Sequence, residues 1–182
     1  IEWLRLDQIR NGMAVPKLIG QQIYAKDAPL IRVCPASDLF MPKFMTEDLA
    51  ELFGWLTAKP RAVFYSKTHN KAQVKRLQTL VLETFGEPCT VLPSQNLSLP
   101  KAVAQFVRMH VQGTAVPELV RKSPKNIQQA FLRALFDAKG KIENVVAPSK
   151  GLFGEGKLEG TCIQLASFRP GLIYGVKSLL EN

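Results

Sequence analysis

Histidine is scarce in this sequence and cysteine is scattered. Two histidines, His69 and His110, and three cysteines, Cys34, Cys89 and Cys162, occur in 182 residues. No C-x-x-C is present and neither histidine stands at ligand spacing from a cysteine, so a His/Cys zinc site or a cysteine nucleophile is not expected. An odd number of separated thiols argues against a disulfide scaffold and for a reducing compartment, cytoplasmic or nuclear. Cys89 and Cys162 read as buried side chains. Long apolar runs are missing too. No segment approaches the ~20 consecutive apolar residues of a membrane span, and the first residues lack the basic-then-apolar pattern of a secretory leader. The glycine-rich "GLFGEG" at 151–156 has no Lys-Ser/Thr after it and reads as a hairpin loop, not a phosphate cradle. The expectation is a soluble globular chain without a membrane partner.

One further absence is local. From Leu52 to Leu82 there is no acidic residue, while Lys59, Arg61, Lys67, Lys71, Lys75 and Arg76 all fall inside that stretch. The formal net charge is +9. Clustered positive charge of this kind points to a polyanionic partner, usually nucleic acid.

The helical segments carry clear signals. Thr46 is a good N-cap, Glu47 and Asp48 suit the positive end of a helix dipole, and Leu49, Leu52, Phe53 and Leu56 recur at helical spacing until Pro60 stops the helix. "RAVFYSKT" then alternates as a strand, with Arg61, Val63, Tyr65 and Lys67 on one face. Val74, Leu77, Val81 and Phe85 mark a second helix capped at Gly86. Short strands are expected at "CTVL" and "NLSL", then a helix with Pro100 in its first turn. Ser123 and Pro124 are expected to cap and open a long helix through Ile127, Phe131, Ala134, Leu135 and Ala138 to Gly140. Two extended runs, "KIENVVA" and "TCIQLAS", follow, and "GLIYGVKSLLEN" closes the sequence as a helix. Trp3 and Trp55 read as core. His69 begins a helix and His110 ends one. The second half partly repeats the first at roughly 80 residues, which implies a pseudo-two-fold molecule.

The repeat is sharpest in two helices. "LFGWLTAKP", 52–60, and "LRALFDAKG", 132–140, each place small residues four apart, Gly54 with Ala58 and Ala134 with Ala138, and each then reaches a lysine, Lys59 or Lys139. Positions i and i+4 share a helix face, so each helix offers a smooth stripe on which the other backbone could lie.

"LRALFDAKG", Leu132–Gly140, resembles the LAGLIDADG motif of homing endonucleases, and "LFGWLTAKP" resembles a worn first copy. "PELVRKSPKNIQQAFLRALFDAKGKI" is similar to the approach and motif helix of intein-borne members. "TCIQLASFRPGLIYGVKSLL" resembles their closing strand and helix, and "EWLRLDQIRNGMAVPKL" resembles the segment that precedes the endonuclease inside inteins. The resemblance covers most of the chain. It implies an α+β fold of two pseudo-symmetric αββαββα-type units packed through twin motif helices, with the sheets forming a saddle over double-stranded DNA. The corresponding division is a lead-in over 1–45, a first unit over 46–118 that has lost a strand after Pro60, and a second unit over 119–182. With both motif helices in one chain, a monomer is expected. The splicing chemistry is not visible: Ile1 stands where an intein would have Cys or Ser, and "LLEN" lacks the His-Asn of an intein terminus.

The resemblance also implies where chemistry would sit, and there the sequence departs from the family. The acid at the end of each motif helix, which binds the divalent metal that activates water, is replaced by Lys59 and Lys139. Mg²⁺ takes hard oxygen ligands; an ammonium has donors only and cannot ligate a cation. It also repels one, by about 4 kcal/mol for unit charges ~4 Å apart at an effective dielectric of 20. Asp137 lies ~200° around its helix from Lys139, Thr57 is its counterpart in the first copy, and Glu143 and Glu155 lie beyond the helix. No catalytic residue and no metal or other cofactor is therefore expected, with Mg²⁺ entering only if an unconventional ligand set exists. Lys59, Lys139, Arg61, Tyr65, Lys67, Lys141 and Lys150 are the expected DNA contacts, and Gly54, Ala58, Ala134 and Ala138 the helix interface. The alternatives are an active endonuclease with unconventional ligands, an RNA-binding maturase-like helper, and a domesticated domain that docks protein.

Overall fold

The computed structural model describes residues 24–31, 40, 42–58, 63–64, 71–92, 97–111, 115–151 and 154–181. Their elements run α1 (Glu47–Ala58), β1 (Val63–Phe64), α2 (Lys71–Phe85), β2 (Thr90–Val91), β3 (Leu97–Ser98), α3 (Lys101–His110), α4 (Glu118–Arg121), α5 (Lys125–Lys139), β4 (Gly140–Gly151), β5 (Gly154–Leu165) and α6 (Pro170–Glu181). The fold is α+β. β1, β3 and β2 form one antiparallel sheet in that order, and β4 pairs with β5 in a second. No helix among the described residues is long and apolar enough to cross a membrane.

Helix α1 is the centre of the molecule. Leu49, Leu52 and Phe53 are wholly buried, and every residue from Leu52 to Ala58 is buried. A helix apolar all round has to be covered on all sides, and here α2, α5 and α3 supply the cover: Phe53 stacks near Phe106 and His110 of α3, at ring separations of 6.2 and 6.3 Å. The start of α1 is set as its sequence requires, since the Leu49 N–H donates to Thr46 Oγ1 at 3.2 Å. At the end of α2, Gly86 adopts φ 72° and its N–H donates to Leu82 O, a left-handed stop that a side chain would strain. Ahead of α1, Leu30 bridges Phe44, with Ile31 N–H donating to Lys43 O and Met45 N–H to Pro29 O, so this proline-rich stretch forms an edge-like pairing.

Two local expectations are corrected. Ser123 does not cap α5. The helix begins at Lys125 behind Pro124 without a side-chain cap, while the Ser123 hydroxyl donates to Leu119 O at 2.7 Å and closes the one-turn helix α4. Gln128 completes that turn by donating from Nε2 to Ser123 O and Arg121 O. The glycine-rich segment is also not a loop of its own. Pairing continues from Gly140↔Leu165 to Gly151↔Gly154, leaving 152–153 between the strands. Gly140 starts β4 in extended conformation (φ −68°, ψ 150°), and a Cβ there would meet Phe136 O at 2.5 Å, so close backbone approach is what this position demands of its residue.

A candidate nucleic-acid interface at the ends of two parallel helices

Helices α1 and α5 lie side by side and run in the same direction. Near their starts, Asn126 Nδ2 donates to Glu47 Oε1 at 2.6 Å, across 79 positions. In their middles, a Cβ built on Gly54 would lie 2.7 Å from Ala134 Cβ, 2.5 Å from Phe131 O and 3.0 Å from Leu135 N. Position n on α1 thus meets position n+80 or its neighbour on α5, the spacing of the internal repeat. Gly54 and Ala134 form the contact itself. The same offset carries Ala58 to Ala138, the former buried and the latter half-buried.

A parallel pair brings like helix poles together. At the amino ends the charge is compensated by Glu47 and Asp48 in the first turn of α1; α5 has no acid in its own first turn and uses Glu47 through Asn126. At the carboxyl ends a cation is favoured, and Lys139 occupies the last position of α5. Lys59, the residue after α1, lies outside the described residues, as do Arg61, Tyr65 and Lys67.

Lys139 is half-buried at the junction with β4, and Lys141 follows two residues later, exposed. Lys141 pairs in register with Gln164, and Glu143 with Cys162, on one face of the hairpin. Ile142↔Ile163 and Asn144↔Thr161 alternate onto the other, where Thr161 Oγ1 donates to Asn144 Oδ1 at 3.3 Å. Lys150 stands opposite Glu155 in register, nine positions from Lys141, so the two lysine positions belong to opposite faces of the ribbon. The structure therefore brings Lys139 and Lys141 to one end of the twin helices and separates Lys150 from them.

Asp137 is exposed on the flank of α5. It lines a groove of about 310 Å³ with Glu47, Asp48, Glu51, Arg76 and Arg133. In that groove Arg76 donates to both carboxylate oxygens of Glu51, at 3.1 and 2.7 Å, and to Asp48 at 3.2 Å, and the hydrogen bond to Glu51 raises the guanidinium pKa further. This corrects the reading of the basic stretch: Arg76 is matched by two acids on α1 and is not part of a free positive surface. Lys71 and Lys75 on α2 remain exposed. Sequence spacing alone did not reveal the pairing, because both acids lie just before the acid-free window.

Neither cysteine among the described residues is fully buried; Cys89 and Cys162 are both half-buried, and burial pushes the Cys89 thiol up to about 11. Trp55 is core, and His110 ends α3 packed on Phe106 at 4.8 Å. Trp3 and His69 lie outside the described residues. Among the described residues no cluster of three His, Cys, Asp or Glu side chains is arranged to hold a metal. At the end of α5, Lys139 carries donors only and cannot ligate a cation, and Asp137 lies on the exposed flank of the helix. No protein-family model and no curated protein matches this chain.

Proposed function

We propose that this is a degenerate, double-motif LAGLIDADG homing-endonuclease-like domain that binds double-stranded DNA without efficient cleavage. The observation that carries the reading is the parallel packing of α1 on α5 at an offset of 79–80 residues through Gly54 and Ala134. It unites the two motif-like helices as the resemblance requires, and it accounts for lysine at a helix end where an acid would face like charge. Lys59 and Lys139 take the place of cations beneath a bound duplex and hold its backbone, Lys141 adds a contact from the hairpin base, and Arg61, Tyr65 and Lys67 extend it on the first unit. The element order, two helix-led units with antiparallel strands between their helices, supports the homing-endonuclease fold as the specific form of the α+β class.

The test is a pair of charge reversals. Lys59→Asp with Lys139→Asp should weaken binding to duplex DNA in the absence of metal, while the circular dichroism and melting profile stay those of a folded chain. Unchanged affinity in the double variant removes both lysines from the contact surface.

A further inference from the structure

The edge of β4 that faces away from β5 has no strand beside it among the described residues. β4 and β5 pair only with each other, and every second residue of β4 turns its backbone N–H and C=O to the outer side. Helix α6 covers the β5 side alone: Leu165 and Ile163 line an apolar groove with Phe136 and with Ile173, Val176 and Leu180 of α6. Ile142, the register partner of Ile163, is 75% exposed, and Lys141, Glu143 and Asn144 are exposed with it. An open edge bearing an exposed β-branched residue is a template for another strand.

The residues at this edge select the strand that fits. Lys141 and Glu143 belong to one face of β4, and Ile142 between them to the other. When a strand pairs antiparallel with its own copy about a two-fold axis, the residue on the axis meets itself and its two neighbours meet each other. With Ile142 on the axis, Lys141 of each copy lies opposite Glu143 of the other, and Gly140 opposite Asn144. An axis at Lys141 or at Glu143 would set like charges face to face, and a half-residue shift would put Ile142 on the charged face of the copy. On the apolar face the chosen register brings Ile163 and Ile142 of both copies into one row across four strands and takes Ile142 out of water. The outer edge of β5 offers no equivalent, because 161–165 (Thr-Cys-Ile-Gln-Leu) carry no charge.

We propose that β4 is a self-association edge: two copies of this chain join antiparallel through Gly140–Asn144, with Ile142 on the two-fold axis, into one four-stranded sheet. The twin-helix packing closes within a single chain and leaves this edge open. Pairing stops where α5 gives way to β4, so the contact is small and the dimer weak and concentration-dependent. The inference does not rest on DNA binding and its experiment contains no DNA, so either reading can fail without the other.

Sedimentation equilibrium of the intact chain over a concentration series should show reversible dimers. Lys141→Glu alone and Glu143→Lys alone each turn both attractive pairs into repulsive ones, and each should raise the dimer dissociation constant about tenfold. An equal mixture of the two variants restores both pairs between unlike chains, so it should recover the parent's association as a heterodimer, which a folding defect in either variant could not produce. Ile142→Lys, at an exposed position, should keep the parent's circular dichroism and stay monomeric. A parent that is monomeric at every concentration, association indifferent to the charge reversals or to Ile142→Lys, or a mixture no better associated than its components overturns the proposal.

Discussion

Gly54 of α1 lies directly against Ala134 of α5, so close that a methyl group on Gly54 would sit 2.7 Å from Ala134 Cβ and 2.5 Å from Phe131 O. Part of that obstruction is backbone, which no rotamer change relieves. Gly54→Ala gains about 1 kcal/mol of helix propensity but must push the two helices apart in a close-packed core, where overpacking costs about 1–3 kcal/mol. The net expectation is a loss of stability, larger for Gly54→Val, read as a lower urea midpoint. An Ala variant as stable as the parent would mean that α1 and α5 are not held this close.

The bonds from Arg76 to Glu51 and Asp48 join α2 to α1 across the molecule. The Arg76 side chain is 43% exposed and those of its partners Glu51 and Asp48 24% and 50%, so water screens much of the attraction. Arg76→Ala should cost about 0.5 kcal/mol at low salt, and the difference should shrink as salt rises. Thermal denaturation at two ionic strengths measures both.

Cys89 gives a pH dependence with a definite sign. Burial raises its thiol from an ordinary 9.0 to about 11, so the folded chain keeps a proton that the unfolded chain releases. Its contribution is whole below pH 9, declines as pH rises, and is gone by about pH 11. Over that window the denaturant midpoint of the parent should fall more steeply than that of Cys89→Ala. Parallel curves would place Cys89 in water.

The sequence disclosed most where local chemistry decides the outcome. Thr46 caps α1, Gly86 stops α2, and apart from the one-turn helix α4, which the sequence did not announce, the helices and strands follow one another in the order their periodicities predict, because capping, left-handed glycine and apolar spacing act over a few residues. The Gly54–Ala134 approach was legible for a different reason: a small-residue stripe occurring twice at equivalent positions names both sides of a contact. Ser123 misled because a serine before a proline resembles a cap, whereas its hydroxyl closes the preceding turn at Leu119. Arg76 misled because its acids come from another helix, and tertiary pairing leaves no periodic trace. Lys141 and Lys150 looked equivalent as basic residues flanking a strand; only the unbroken register showed that an odd number of residues puts them on opposite faces.

The most direct measurement is a titration of the intact protein against a labelled mixed-sequence duplex, without metal, at two salt concentrations. The account predicts binding at low salt that weakens markedly at high salt, the signature of cations displacing counterions from phosphates. No binding at low salt would contradict it, and would turn the search for a ligand toward structured RNA or an acidic protein surface.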